Sequence, residues 1–361
     1  MLHGRLVQRL LRSLGFLSVL AFTANAHAES RWQSLNQMVV DQHILPRYQQ
    51  LETDTQALAQ ATALFCTQHT RSAFEQLKAT YHRAMDSWMA IQHIRLGPVE
   101  ASLRYYRYQI WPDKHNTGTK HLQGLLKSED RERLEPKQFA QSSVAVQGLT
   151  ALERLLFPTA SDSGQFGSPE APSYRCELML AITGNLAQMS SEIVTDWAAG
   201  ETPYRTRVLT AGPENDDFAS HEEVASQWLN SISTQLQVIT EQKLFRPLEQ
   251  FRLKRAESWR SRRSLQNILL NLLAIRELYA IGLSPKLSED PLDNTIKKAF
   301  DQTIASVKAL DIPLYDIKQD SPEAKKLEKI LADARQLTAL TSSELPQALG
   351  LSLGFNSLDG D

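Results

Sequence analysis

The stretch FEQLKATYHRAMDSWMAI, residues 74–91, decides the fold class of this chain. Its large apolar side chains recur every three or four residues: Phe74, Leu77, Tyr81, Met85, Trp88 and Ile91. That spacing places them on one face of an α-helix. The same period recurs along most of the chain, and no sustained alternation of β-branched residues accompanies it. The sequence therefore predicts an all-α protein.

Further helices are expected on both sides of this stretch. An earlier one begins near Leu35, and Pro46 should kink or interrupt it. Later ones are expected at about 144–157, 174–199, 220–243, 263–282, 291–309 and 322–341. Residues 158–173, rich in Pro, Gly and Ser, form the clearest linker. The layout predicts one domain over 34–341, built of two helical-bundle halves packed side by side, 29–157 and 174–341, with a tail at 342–361.

Composition excludes several classes of protein. The chain has 361 residues, of which 42% are hydrophobic, enough to bury a sizeable core. Lys plus Arg number 39 and Asp plus Glu number 41, so a nucleic-acid partner, which needs a basic face, is not expected. Two cysteines are too few for a disulfide-rich mini-fold or a four-cysteine zinc site.

Residues 1–28 have the three parts of a secretory signal peptide. Arg5, Arg9 and Arg12 form a basic start, Leu14 to Thr23 is apolar, and Ala26-His27-Ala28 resembles a cleavage site. The alternative is an amphipathic first helix. Removal of this segment leaves a net charge of −5 and no apolar run of membrane-spanning length. We therefore expect an exported protein, most simply periplasmic, without a membrane span in its mature form.

The two cysteines, Cys66 and Cys176, should form one disulfide. An exported protein meets an oxidising compartment, and the count of two leaves no cysteine over. The bond would join the end of the first long helix to the start of the first helix after the linker. The alternative is two buried free thiols.

The segment from Gly148 to Phe157 is chemically unusual. Glu153 shares a helical face with Leu149 and Leu156, and a carboxylate there costs free energy unless it is paired. It is either a rim residue with a hydrated head or a buried acid held by donors from residues 104–113. That donor segment is dense in aromatic residues and arginines, which can line a ligand cleft or pack a helix corner.

An ordered set of sequence pieces resembles the imelysin family, exported bacterial proteins described as metallopeptidases and associated with iron uptake. The pieces extend across nearly the whole mature chain: 43–48, Trp88, Gly97-Pro98, 111–113, 148–157, 175–178, Asn185-Leu186, Trp197, 257–261, Asn271-Leu272 and Leu278-Tyr279. The resemblance implies an all-α fold of two bundle-like halves with a site between them.

The resemblance also implies a signature Gly-x-His-x-x-Glu, whose His and Glu would be metal ligands. Gly148 and Glu153 hold its outer positions, but Thr150 stands where the family has His. A hydroxyl is a poor ligand for a transition metal, so we expect neither a metal ligand set nor a catalytic residue, and the cofactor is unknown. One of three histidines could still complete a site if the fold brought it near Glu153: His93, His115 or His121.

The expected ligand site lies between the halves. It comprises Trp111, Asp113, Gly148, Thr150 and Glu153 from the first half, with Arg260 and Ser261 from the second by their match to a later family motif. Three functions compete. The favoured one is a non-catalytic binding component of iron or haem uptake, whose ligand is a metal complex, haem or a peptide. The others are a metallopeptidase and an envelope protein that partners an outer-membrane transporter.

Overall fold

The computed structural model of the protein describes residues 31–113, 115–158, 166 and 173–354. The expected signal peptide, most of the expected linker at 158–173 and the end of the expected tail lie outside these residues. Within the described part of the chain every regular element is helical. The predicted all-α fold of two packed bundle halves is confirmed.

Thirteen helices are named here in chain order. They are α1 (Leu45–Gln68), α2 (Arg71–Ile91), α3 (Arg104–Tyr108), α4 (Thr117–Ser128), α5 (Pro136–Ala140), α6 (Gly148–Leu156), α7 (Tyr174–Ala198), α8 (Tyr204–Leu209), α9 (His221–Gln237), α10 (Ser264–Gly282), α11 (Pro291–Lys308), α12 (Pro322–Ala339) and α13 (Leu345–Leu349). The boundaries of the long helices agree with those expected from the apolar period to within a few residues.

Three π-helical segments extend these helices. Val39–Ile44 leads from helical residues 31–38 into α1, Val238–Phe245 continues α9 toward Arg246–Leu248, and Leu340–Glu344 joins α12 to α13. Pro46 lies in the first turn of α1, directly after the first segment, so the chain stays helical across it. The wider π-helical turn thus takes the place of the expected interruption at Pro46.

Two bundles share one hydrophobic core. α1 packs along α2 and, on another side, along α7; α9 and α11 pack against α10, and α12 packs against α11. The two bundles meet where α10 lies against α2. Trp88, Trp197 and Trp228 are fully buried in the core. Because α7 packs on α1, the first helix after the expected linker lies beside the first half of the chain.

Cys66 and Cys176 form a disulfide, as predicted, with their Cα atoms 5.8 Å apart. The bond joins the end of α1 to the first turn of α7. Both neighbouring helix starts are capped: the Thr70 side chain accepts a hydrogen bond at the start of α2, and the Ser173 side chain does so at the start of α7. The covalent bond and the caps therefore fix one end of this helix layer.

A membrane-spanning helix would need a long, continuously apolar segment. None of the helices in the described ranges meets that requirement.

Candidate functional site

A polar cavity of about 320 Å³ lies where α6 faces residues 246–260. Its lining residues are Gln109, Trp111, Pro112, Asp113, Asn116, Thr119, Thr150, Glu153, Arg154, Arg246, Lys254, Arg255, Ala256, Ser258, Trp259 and Arg260. Five of the residues expected at the site are therefore brought together: Trp111, Asp113, Thr150, Glu153 and Arg260. Ser261 lies directly behind the cavity against Glu153, and Gly148 lies at the start of α6 without lining it.

Glu153 is buried, with 5% of its surface exposed, and it is anchored from the second half of the chain. Its Oε1 accepts hydrogen bonds from the Ser261 backbone N–H at 2.9 Å and from the Ser261 hydroxyl at 2.6 Å. Burial raises the pKa of the Glu153 carboxyl, and the two hydrogen bonds from Ser261 oppose that rise. The acid is thus a fixed link between α6 and the 257–261 segment.

The buried alternative for Glu153 is the correct one, but the expected donors from residues 104–113 are wrong. The arginines of that segment are engaged elsewhere. Arg104 pairs with Glu192 and Asp196 on α7, and Arg107 donates to the side-chain oxygens of Gln147 and Asn185. The ring of Tyr108 stacks on Trp88 at 4.6 Å between centroids. Residues 104–108 therefore build the helix corner beside the cavity, while Trp111 and Asp113 of the same segment line it.

Gly148 allows the backbone at the start of α6 to approach the end of α3. Its φ is +73°, and a Cβ there would lie 2.2 Å from the Arg107 carbonyl oxygen and 2.3 Å from that of Tyr108. Only glycine fits such a contact without displacing backbone atoms. This close approach sets the position of α6, and through it the positions of Thr150 and Glu153 at the cavity.

Asp113 and Arg154 form a neutralised pair on one wall. Asp113 accepts hydrogen bonds from the backbone N–H groups of Thr117 at 2.7 Å and Gly118 at 2.9 Å, in the first turn of α4. Arg154 Nη2 lies 3.1 Å from Asp113 Oδ2. Burial lowers the pKa of the Arg154 guanidinium, and Asp113 opposes that shift. The negative charge of Asp113 is therefore compensated within the wall itself.

The wall from the second half is strongly basic. It carries Arg246, Lys254, Arg255 and Arg260. Lys254 Nζ lies 5.6 Å from the centroid of the Trp259 ring, and Arg260 Cζ lies 4.7 Å from it, so both cations stack on one aromatic side chain. Sequence reasoning found Arg260 and missed the other three basic residues. The only sign of a basic wall in the sequence was the pair Lys254-Arg255, which stands just before the 257–261 family piece.

A buried ion pair lies behind this wall and was also missed. Lys243 Nζ lies 2.7 Å from Glu257 Oε2, and their side chains are 2% and 3% exposed. Gln109 and Asn267 donate amide hydrogen bonds to the Glu257 carboxylate at 3.1 and 2.8 Å, while Lys243 donates to Asn271 at 2.6 Å. Burial lowers the pKa of Lys243, and Glu257 opposes that shift. This network fixes the second-half wall to the core.

The donor set of the cavity does not fit a divalent metal ion. In the described part of the chain no group of three or more His, Cys, Asp and Glu side chains could hold a metal. The anchored carboxylate of Glu153 has Thr150 and basic side chains as its cavity neighbours. The three histidines lie elsewhere: His93 contacts His43 through their Nε2 atoms at 2.8 Å, His121 contacts Ser143, and His115 is exposed.

Comparisons with known proteins agree with this architecture. The imelysin family model matches residues 44–343. Iron-regulated protein A of Synechococcus elongatus is 24% identical over 247 residues, a match that covers 66% of this chain and 62% of that relative. This chain therefore matches less than two thirds of the length of that curated relative.

Two solved structures share the fold. An imelysin-like protein from Psychrobacter arcticum has a TM-score of 0.74 at 17% identity, covering 91% of this chain and 98% of that one. An iron-regulated protein A precursor from Parabacteroides distasonis has a TM-score of 0.73 at 14% identity, covering 88% and 95%. At these identities the likeness shows the fold alone.

Proposed function

This chain belongs to the imelysin family, and we propose that it is an exported, non-catalytic binding component with an iron-related role. Its ligand would occupy the cavity beside Glu153. The names of two similar proteins support an iron-related role, since both are described as iron-regulated protein A. The word precursor in one of those names, together with the signal-peptide pattern in residues 1–28, supports export to the periplasm.

The observation that carries the proposal is the composition of the cavity. The signature-motif residues Thr150 and Glu153 line it together with Ser258, Trp259 and Arg260 of the second half, so both parts of the family pattern converge on one space. Its walls are fixed by Ser261 on one side and by the Asp113–Arg154 pair on the other. The volume of about 320 Å³ lies at the lower end of the range for small-ligand sites, which is about 300–1,000 Å³.

Native mass spectrometry of the protein purified from its own cell envelope tests the proposal. The wild type should retain a small molecule. Thr119→Trp, which places a bulky ring in the cavity, should lose it while keeping its melting temperature, because Thr119 lines the cavity and is only half-buried. Thr295→Trp, at an exposed position on α11, is the matched control and should retain the ligand.

Two results would count against the proposal. An unliganded wild type that also shows no ligand-dependent rise in melting temperature with envelope extract would remove the binding role. A Thr119→Trp protein that retains the ligand in full would show that the ligand does not occupy this cavity.

The two competing functions have weaker support from this geometry. A metallopeptidase needs a metal-bound water and a general base. The two carboxylates of the cavity are already engaged, Asp113 with Arg154 and Glu153 with Ser261. A role beside an outer-membrane transporter is not favoured by any particular contact described above.

A further inference from the structure

We propose that the cavity between α6 and residues 246–260 binds a small anion carrying two or more carboxylate or phosphate groups. The inference rests on the proposed function, because it specifies the class of ligand for the same cavity.

The first argument is the charge of the lining. Five basic side chains line the cavity, Arg154, Arg246, Lys254, Arg255 and Arg260, against the two acids Asp113 and Glu153. The charge of Asp113 is balanced by Arg154 and by two backbone N–H groups. The Glu153 oxygen that faces Ser261 is used for two hydrogen bonds. The charges of Arg246, Lys254 and Arg255 in the second-half wall are therefore left in excess.

The second argument is that this excess is not compensated by neighbouring acids. Across the described residues, Arg246, Lys254 and Arg255 form no ion pair with a carboxylate. Other basic residues of the same region are paired: Arg262 with Asp316 and Arg263 with Asp86. Like charges that line one concave space raise its electrostatic potential, and the binding of an anion relieves their mutual repulsion.

The third argument is geometric. Arginine presents a planar fork of donors that matches a carboxylate or a phosphate, so several arginines in one cavity suit an anion with several such groups. Stacking on Trp259 restrains both Lys254 and Arg260, which lowers the entropy lost when a ligand is bound. A volume of about 320 Å³ limits the ligand to a compact molecule.

Isothermal titration calorimetry with citrate and with pyrophosphate as probes tests the inference. The cavity variant carries Arg246→Gln, Lys254→Gln and Arg255→Gln. The control variant carries Lys298→Gln, Lys325→Gln and Lys326→Gln, which removes the same charge from exposed positions on α11 and α12. At least one probe should bind the wild type and the control equally. It should bind the cavity variant about a hundredfold more weakly or worse, since each hydrogen bond to a charged group contributes roughly tenfold. Added salt should weaken wild-type binding.

The outcomes separate the possible conclusions. Binding of citrate alone identifies a polycarboxylate ligand, and binding of pyrophosphate alone identifies a phosphorylated one. Failure of both probes at millimolar concentration, or equal binding by the cavity variant, overturns the inference. If the triple cavity variant does not fold, Lys254→Gln alone, compared with Lys326→Gln, gives the same decision.

Failure of this inference can be told apart from failure of the proposed function. The mass-spectrometric experiment on Thr119→Trp uses no added anion. A neutral envelope-derived ligand that the cavity variant retains would overturn the inference and leave the proposed function standing. The wild-type protein could instead bind citrate tightly, retain no envelope-derived ligand and show no response to envelope extract. That result would leave the inference standing and overturn the proposed function.

Discussion

Glu257→Gln should make the free energy of unfolding of this protein depend steeply on pH. Lys243→Met should instead lower the free energy of unfolding by nearly the same amount at every pH from 7 to 9. The two side chains form a fully buried ion pair at 2.7 Å. Removing either partner leaves the other charge in the core, and breaking such a pair typically costs about 3–5 kcal/mol. The difference between the two variants lies in what the remaining group can do.

In Lys243→Met the remaining group is the Glu257 carboxylate. It keeps amide hydrogen bonds from Gln109 and Asn267. We expect a loss of unfolding free energy near the lower end of the range, about 3 kcal/mol, because two of its three donors survive. No lysine remains at the site to release a proton, so the loss should be nearly constant from pH 7 to pH 9.

In Glu257→Gln the remaining group is Lys243, whose pKa burial already lowers from 10.5. Without the carboxylate its pKa falls further, so the folded state holds a neutral amine while the unfolded state holds a charged one. The unfolded state then binds more protons, and stability rises with pH. For each pH unit below 10.5, removing the proton from a lysine costs about 1.4 kcal/mol. The loss of unfolding free energy caused by a neutral Lys243 therefore cannot exceed about 5 kcal/mol at pH 7 or about 2 kcal/mol at pH 9.

Urea unfolding followed by tryptophan fluorescence, at several pH values, measures these differences. The double variant Lys243→Met/Glu257→Gln should recover about 2–3 kcal/mol relative to the sum of the single variants, because it leaves no buried charge. Lys326→Met, at an exposed position on α12, controls for the loss of a lysine. Additive single effects, or a Glu257→Gln profile parallel to that of the wild type, would refute the reasoning.

Three further tests address the disulfide, a histidine pair and the signature motif. Replacing Cys66 and Cys176 by alanine removes a cross-link between residues 110 apart and should lower the free energy of chemical unfolding by about 4–5 kcal/mol. Thiol titration of the denatured, unreduced wild type should find no free thiol. Burial lowers the pKa values of His43 and His93 from 6.5, so acidification should destabilise the fold. About 1.4 kcal/mol of the loss between pH 7.5 and pH 5.5 should vanish in His93→Gln, and an unchanged profile would contradict this. In calorimetry Thr150→His should gain Zn²⁺ affinity, whereas sub-micromolar Zn²⁺ binding by the wild type at the motif carboxylate would show that Thr150 is no barrier to a metal.

The helices could be predicted from the sequence because the apolar period is a local property. Phe74 through Ile91 specify α2 whatever the rest of the chain does, since their side chains already share one face. The position of Glu153 on an apolar helical face likewise indicated either a buried acid or a rim residue. The family resemblance placed Ser261 at the same site, 108 residues away, but its hydrogen bonds to Glu153 could not be predicted, because a backbone N–H group carries no mark in the sequence.

The basic wall could not be predicted for a related reason. Lys254 and Arg255 stand in a polar stretch and are exposed, as charged side chains usually are, so the sequence does not distinguish them from other surface residues. Only the tertiary packing that brings residues 246–260 to α6 turns them into the lining of a cavity. The burial of Lys243 could not be predicted either. The oxygens of Glu257 and Asn271 that compensate its charge in the core come from later parts of the chain.

Two independent features of the cavity select the same kind of ligand. Thr150 stands where the family signature has a histidine, so the cavity lacks a ligand that would favour a bare transition-metal ion. The basic wall of Arg246, Lys254 and Arg255 disfavours any free cation by like-charge repulsion. A metal ion would therefore enter only inside an anionic chelate whose own donors complete its coordination. On the proposed function, an iron-related role and a basic cavity are then compatible, because the protein would recognise the charge of the complex and leave coordination of the metal to the chelator.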